Sequence, residues 1–434
     1  LLMLGVAVYV AAIVTANTFA TIIAGRTRQI AMLRLIGASA RAQRRAVGRQ
    51  GLGVGLIGAS LGLVGGTAVA ATLVRLADAL LGLSTGYGVL QPVLLLPAAV
   101  VALTTWVGAW SGSRRVLTVT PLAALGGAAE RTAAQTRSRG RTAAAVALLG
   151  AGAALLIGGI LIGFVSPLGV VVAFFGGVLS FTGLALGAVI VMPPLLRLTG
   201  RLFGRSATAR LAAENALRHP ERASRMAIGV VMGVTLVVMF AVASASVKAV
   251  MTAAAGGNPP AELDRVLDTF AAIMMGLVAV SAVIAAVGLV NLLTIGVVQR
   301  RRELGLLRAL GLTSRQIRQM VLLEAVHVTI TALAFGLVLG IVYGWAAAQS
   351  LLGAVSLPPA FASPTLVAPA VPLVPVIVVV AATALLTVIA TVVPARPATR
   401  VTPVESLSAY APAPGAPPHR ASRRPAPPQP CTAG

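Results

Sequence analysis

The sequence predicts an all-α polytopic membrane protein. Three observations carry the prediction: scarcity of charge, a series of apolar runs each long enough to cross a bilayer, and confinement of arginine to alternate gaps between them. Only 10% of the 434 residues are charged and 58% are hydrophobic, with a mean hydropathy of +0.95. A soluble domain carries about 25% charged residues, so this chain cannot clothe a water-facing surface. Aromatics make up 4%. Small and aliphatic residues supply the rest of the apolar content, as close helix packing in lipid requires.

A crossing helix needs about 20 apolar residues. Nine runs meet that length: 1–24, 50–74, 93–113, 142–162, 169–192, 226–247, 270–297, 321–348 and 372–394. None alternates polar and apolar residues as a barrel strand would. If residue 1 lies outside, the cytoplasmic gaps are 25–49, 114–141, 193–225, 298–320 and 395–434. They hold 31 of the 34 Lys and Arg; the outer gaps hold only Arg75, Lys248 and Arg265. This is the positive-inside bias, and it puts the C-terminus in the cytoplasm of a cytoplasmic-membrane protein. The formal net charge of +24 is thus an insertion signal. Nucleic-acid binding would need aromatic or groove-reading partners for the arginines, and none accompanies them.

Several chemistries are excluded. Cys431 is the single cysteine, so neither a disulfide framework nor a multi-cysteine metal site is available. The histidines His219, His327 and His419 are dispersed, and the ten acidic residues are mostly in gaps. No Ser/His/Asp or paired-carboxylate arrangement stands out, so no catalytic site and no metal site is predicted. A Walker A loop needs a Gly-Lys-[Ser/Thr] terminus to cradle phosphates. The only lysine is Lys248, in an outer gap. The chain therefore holds no ATP of its own, and no other cofactor is indicated.

Two stretches match at an offset of 274 positions. Arg26-Thr27-Arg28-Gln29-Ile30-Ala31-Met32-Leu33-Arg34-Leu35-Ile36-Gly37-Ala38-Ser39 aligns with Arg300-Arg301-Arg302-Glu303-Leu304-Gly305-Leu306-Leu307-Arg308-Ala309-Leu310-Gly311-Leu312-Thr313. The register runs upstream to Asn17 and Asn291, and downstream through Arg41 and Arg315 to Gly62 and Gly66 with Gly336 and Gly340. Thr120-Pro121 and Thr402-Pro403 end the two copies alike. An even number of spans separates equivalent points, so the repeat is parallel. Within each stretch, Ile30, Leu33 and Ile36, and Leu304, Leu307 and Leu310, recur at helical spacing. Gly37 and Gly311 sit where a left-handed C-cap would close that helix. Ser39 and Thr313 would cap the next, and Thr313 with Gln316 makes a capping-box pair.

The repeated pattern, Arg-x-[Gln/Glu]-[Ile/Leu]-x-[Met/Leu]-Leu-Arg followed by a Gly break, resembles the signature of FtsX-like (MacB-like) ABC transporter permeases. Leu211-Ala212-Ala213-Glu214-Asn215-Ala216-Leu217-Arg218-His219-Pro220 is similar to the amphipathic segment that leads into such a unit. The resemblance implies four spans per unit and two parallel FtsX-like units. Residues 1–125 would be a first unit lacking its opening span, 126–207 a basic linker and two-span insert, and 208–410 a complete second unit. Residues 411–434 read as a Pro/Arg-rich disordered tail. Nine transmembrane helices would be present, and ten in a full chain extending before Leu1. The gap 248–269 is too short for the large extracytoplasmic domain that often follows a unit's first span.

The resemblance further implies a permease subunit driven by a separate ATP-binding subunit, in two copies, for export, extraction or mechanotransmission. Arg28, Gln29, Arg34, Gly37, Arg302, Glu303, Arg308 and Gly311 would make the ATPase-coupling contacts. One chain would serve an ATPase dimer, with a homodimer of the chain the other arrangement. Contact of the same helices with anionic membrane lipid accounts for the arginines but not for the shared Gly break. Gly58, Gly62 and Gly66, and Gly336, Gly340 and Gly344, form small-residue faces on equivalent spans, a pattern for helix packing. Glu324 and its repeat partner Gln50 are interfacial polar positions; for Glu324 a structural pairing with Arg315 or Arg318 is expected. A secondary transporter with parallel repeats would need mid-span ionisable groups, which are nearly absent. A non-transporting signalling or scaffold subunit of the same family shares every one of these sequence features.

Overall fold

The computed structural model describes residues 27–81, 92–114, 139–201, 214–217, 220–255, 311–355 and 365–398, with isolated positions within 5–22 and 261–269. Every regular element among the described residues is helical. In chain order these are α1 (Thr27–Leu35), α2 (Ala40–Leu81), a 3-10 turn (Pro92–Leu94), α3 (Leu95–Gly112), α4 (Arg139–Gly163), α5 (Gly169–Gly200), α6 (Pro220–Ala254), α7 (Ser314–Leu352) and α8 (Leu373–Ala398). Seven of the described helices, α2 to α8, are long and apolar enough to cross a membrane. An all-helical, multi-pass membrane protein is therefore what this sequence builds. The runs at 1–24 and 270–297 fall largely or wholly outside the described residues.

The basic segments that precede two spans are not separate helices. In α2 and α7 the helix starts at the cap and runs without interruption into the apolar stretch. No Gly-Pro or capping signal divides them, so the backbone hydrogen-bond ladder continues. Helix α5 likewise runs past its expected end, through Pro193 and Pro194, to Gly200.

Helix α6 is the centre of the bundle. Of its most apolar window 78% is buried, against 11% for α2. Val231, Met232, Val234, Val238 and Val242 of α6 pack with Leu184 and Met192 of α5 and Val328 of α7. The α4–α5 hairpin turns through Ser166-Pro167, where Gly169 N donates to the Ser166 carbonyl at 3.0 Å. Its two helices touch backbone to backbone. A Cβ at Gly152 would collide with Ser180, one at Gly159 with Ala173, and one at Gly183 with Leu149. Dispersion contact at this range substitutes for the hydrophobic effect, which lipid does not supply between helices.

The α2–α3 pair packs through Gly51 against Ala109 and through Gly55 against Ala102 and Thr105. Residues of the first run join this pair to the rest. Gly108 of α3 lies against Ala12 and Ala16, while Gly5 meets Phe174 of α5. Tyr9 Oη donates to the Val178 carbonyl at 3.0 Å and lies 2.6 Å from Thr182 Oγ1. From the other side, Tyr343 of α7 reaches Ser180 Oγ at 2.9 Å. Two tyrosines thus grip one short stretch of α5, polar atoms matched where water is absent.

At the end opposite the arginine-rich loops, an extended segment at 365–372 folds back over α6 and α7. Gln349 donates to the Thr365 carbonyl at 2.9 Å and accepts from Val367 N at 2.7 Å. Trp345 Nε1 donates to the Val367 carbonyl at 2.8 Å, and Ser246 Oγ accepts from Ala370 N at 3.0 Å. These side chains answer backbone groups that no ladder satisfies.

Candidate functional site

The repeated stretches each form a joint at the entry to a span, a glycine at positive φ followed by the capped start of a long helix; the short helix before it is among the described residues only at the first. At the first, α1 ends in a Schellman motif: Ala38 N donates to the Leu33 carbonyl at 2.9 Å and Gly37 N to the Arg34 carbonyl at 3.2 Å. Gly37 has φ 99°, a conformation that costs an L-residue about 1–2 kcal/mol. Ser39 then opens α2, its Oγ accepting from Ala42 N at 3.1 Å. Gln43 reaches back to donate to the Ile30 carbonyl at 3.3 Å, which fixes α1 against the start of α2.

At the second joint Gly311 has φ 96°. Thr313 caps α7 in a full capping box, with Gln316 N donating to Thr313 Oγ1 at 3.2 Å and Thr313 N donating to Gln316 Oε1 at 2.9 Å. A Cβ on either glycine would meet nothing within 4 Å, so only the backbone angle demands glycine there. Residues 300–310, with Arg302, Glu303 and Arg308, lie outside the described residues.

Helix α1 is amphipathic, but the chain covers only part of its apolar face. Ile30 and Ala31 are buried, while Leu33 is 47% and Ile36 81% exposed. Arg34 is half-buried and Gln29 exposed. An uncovered apolar strip beside arginine suits a partner groove or the lipid interface.

The two glycine faces part company. Cβ atoms at Gly336, Gly340 and Gly344 would press on α6: 3.0 Å from Val234 Cβ, 2.6 Å from Val238 Cβ and 2.6 Å from the Met239 carbonyl oxygen. Gly58, Gly62 and Gly66 of α2 are exposed and would meet nothing within 4 Å. The matched faces therefore do not make matched contacts in this chain: α7 seats α6, and no described helix stands at the corresponding face of α2.

Glu324, 9% exposed, accepts from Asn215 Nδ2 at 2.7 Å. Asn215 belongs to the helical turn at 214–217. The expected pairing partners Arg315 and Arg318 are both exposed, as is Gln50. One turn on, His327 is fully buried. Its Nε2 lies 3.0 Å from the Leu196 carbonyl and 3.1 Å from Thr199 Oγ1, which is 2.6 Å from Thr331 Oγ1. A polar knot thus ties α5 to α7 at the arginine-rich end. Thr199 and Thr331 gave no sequence signal; threonine in a span is unremarkable until its neighbour is known. Among the described residues no group of histidine, cysteine, aspartate and glutamate could hold a metal ion.

A family model for the FtsX-like permease C-terminal matches residues 1–121 and 275–403. The chain belongs to the FtsX-like permease family. The two matched segments of the permease each contain one joint, and the unmatched interval between them contains the α4–α5 hairpin, the 214–217 turn and α6. No curated protein and no solved structure matches the chain.

The 214–217 turn is fastened to the second matched segment by its Glu324 contact. We expect Asn215→Leu, which strips the Glu324 carboxylate of this donor, to cost about 1–3 kcal/mol. Glu324→Gln should cost less, since an amide oxygen still accepts. Thermal unfolding of the purified permease checks the order; equal losses would contradict it.

Proposed function

We propose that the permease is the membrane subunit of an ABC transporter, moved by two copies of a separate ATP-binding subunit docked at its two joints. The observation that carries the reading is the duplicated joint: a glycine at positive φ, a capped residue and a long span helix at both repeats, with a short helix described before the first. A force applied to α1 passes through the Gly37 stop and the Ser39 cap into α2 as a lever of 42 residues. The second joint delivers force to α7 in the same way. Lipid anchoring alone would need the arginines and the apolar strip but no fixed angle between the short helix and the span.

Packing supports a parallel duplication. Gly55 faces Thr105, and its repeat partner Thr329 lies 3.1 Å, Oγ1 to Oγ1, from Thr387. Thr105 and Thr387 are 282 positions apart, the offset that also separates Thr120-Pro121 from Thr402-Pro403. In this reading the third and fourth spans of both units meet through equivalent positions.

Reconstitution with an ATP-binding subunit tests the reading. Adding the permease in proteoliposomes should raise that subunit's ATP hydrolysis severalfold, and a two-to-one stoichiometry should hold in the purified complex. Unchanged hydrolysis and no stable complex would remove the proposal. Substrate movement measured in the same vesicles separates export or extraction from mechanotransmission.

A further inference from the structure

The permease has a cationic and aromatic patch in its first unit that the coupling reading does not use. Arg41, Arg44, Arg45 and Arg49 occupy the first turns of α2 at helical spacings that keep them on one side. Arg44 stacks on Trp110 of α3, its Cζ 3.9 Å from the ring centroid, with its Nε buried in the contact. Such stacking fixes a guanidinium that would otherwise sample many rotamers. Gly48 is buried between the helices, its hypothetical Cβ 3.7 Å from Trp110 Cδ1 and 3.8 Å from Trp106 Nε1. The absent side chain leaves both indoles seated at the α2 surface, 38% and 43% exposed. Arg41, Arg45 and Arg49 are exposed around them, and Arg114 is exposed just beyond α3.

The sequence holds no acidic residue from Arg26 to Ala77 or from Pro92 to Ala129. The second unit repeats the patch only in part. At the offset of 274, Arg41 and Arg44 correspond to Arg315 and Arg318, but Arg45 and Arg49 correspond to Gln319 and Leu323, and α8 contains no tryptophan to seat them. A feature needed for docking both joints would be present twice.

We propose that this patch binds the phosphate-bearing headgroup of an anionic phospholipid of the leaflet that faces the arginine-rich loops. The indoles lie beside Gly48, where the basic first turns of α2 give way to its apolar stretch, a setting that suits tryptophan at a headgroup interface. Planar guanidinium matches phosphate oxygens through paired N–H donors. Several arginines within two turns supply the charge that a single belt residue lacks. A lipid is favoured over an acidic protein segment because the patch ends where the apolar stretch of α2 begins and lies on the same side of the helix as exposed Leu52 and Leu56, which are placed for acyl chains.

Native mass spectrometry of the full chain, released from equimolar phosphatidylglycerol and phosphatidylcholine, tests the site. The unaltered chain should retain phosphatidylglycerol preferentially. Arg44→Gln with Arg45→Gln should weaken retention about thirtyfold. Trp110→Phe, which keeps a ring under Arg44, should fall between the two. Arg315→Gln with Arg318→Gln in the second unit should leave retention unchanged. Full retention by the Arg44/Arg45 variant, or equal retention of phosphatidylcholine by the unaltered chain, overturns the proposal. So does loss of an ATP-binding subunit by that variant with lipid retention intact, which would assign the patch to a protein. An unfolded Gln variant is recognised by its thermal transition, and Arg44→Lys with Arg45→Lys then replaces it: retention kept by charge alone but reduced severalfold is the supporting result, and no reduction the contrary one.

Discussion

Gly340→Ala should destabilise the permease by about 1–3 kcal/mol, whereas Gly66→Ala, the same change at the equivalent position of the first unit, should be neutral or stabilising. At 340 the new methyl would stand 2.6 Å from Val238 Cβ and 3.1 Å from the Thr235 carbonyl oxygen. Neither atom is the end of a flexible chain, so α6 must move as a body, and overpacking of this kind carries that cost. Because α6 is the most buried helix, its displacement disturbs the contacts to α5 as well. At 66 the methyl meets nothing within 4 Å, and alanine gains about 0.5–1 kcal/mol over glycine in a helix interior. Gly344→Ala, facing the Met239 carbonyl at 2.6 Å, should follow Gly340. Thermal or denaturant unfolding of the four-variant set, with Gly62→Ala as the fourth, reads the sign directly. Equal losses at 66 and 340 would mean that the α2 face is packed after all.

The second large effect is functional. Gly311→Pro combined with Arg308→Glu should abolish the stimulation of a bound ATP-binding subunit and weaken the complex at least thirtyfold. Charge reversal in a docked contact costs about 2–5 kcal/mol. Proline cannot adopt the φ of 96° at this position, so the chain entering α7 would be redirected. A milder pair separates angle from charge. Gly37→Ala and Gly311→Ala introduce no clash, and each should cost about 1–2 kcal/mol through the backbone alone. If those two variants keep full coupling while the arginine variant loses it, the joint acts as a charged handle rather than as a fixed-angle lever.

The joints were legible in the sequence because their chemistry is local. A glycine two residues before Ser or Thr, after a helical run ending in a basic residue, specifies a stop and a cap without reference to any other segment. Thr313 and Gln316 formed the capping box that their spacing announced. Long apolar runs were legible for a similar reason, since length and composition alone decide whether a helix can cross a bilayer. Side-chain partners across helices were not. Gly62 and Gly336 read identically along the chain, and what stands opposite each is set by helix order, not by the helix bearing it. Tyr9 and Tyr343 carried no periodic signal, and their meeting on α5 depends on how the α4–α5 hairpin docks. Asn215 stood out only through the family resemblance; its Glu324 contact spans 109 positions.

Membrane sidedness of the joints is the most direct test of the account. In a Cys431→Ser background, Arg34→Cys and Arg308→Cys would be labelled singly with a membrane-impermeant thiol reagent, in sealed vesicles of both orientations. The account predicts that both positions react in inside-out vesicles and that neither reacts in right-side-out ones. Labelling of the two positions from opposite sides would contradict it, because a parallel pair of force-receiving joints could not then exist.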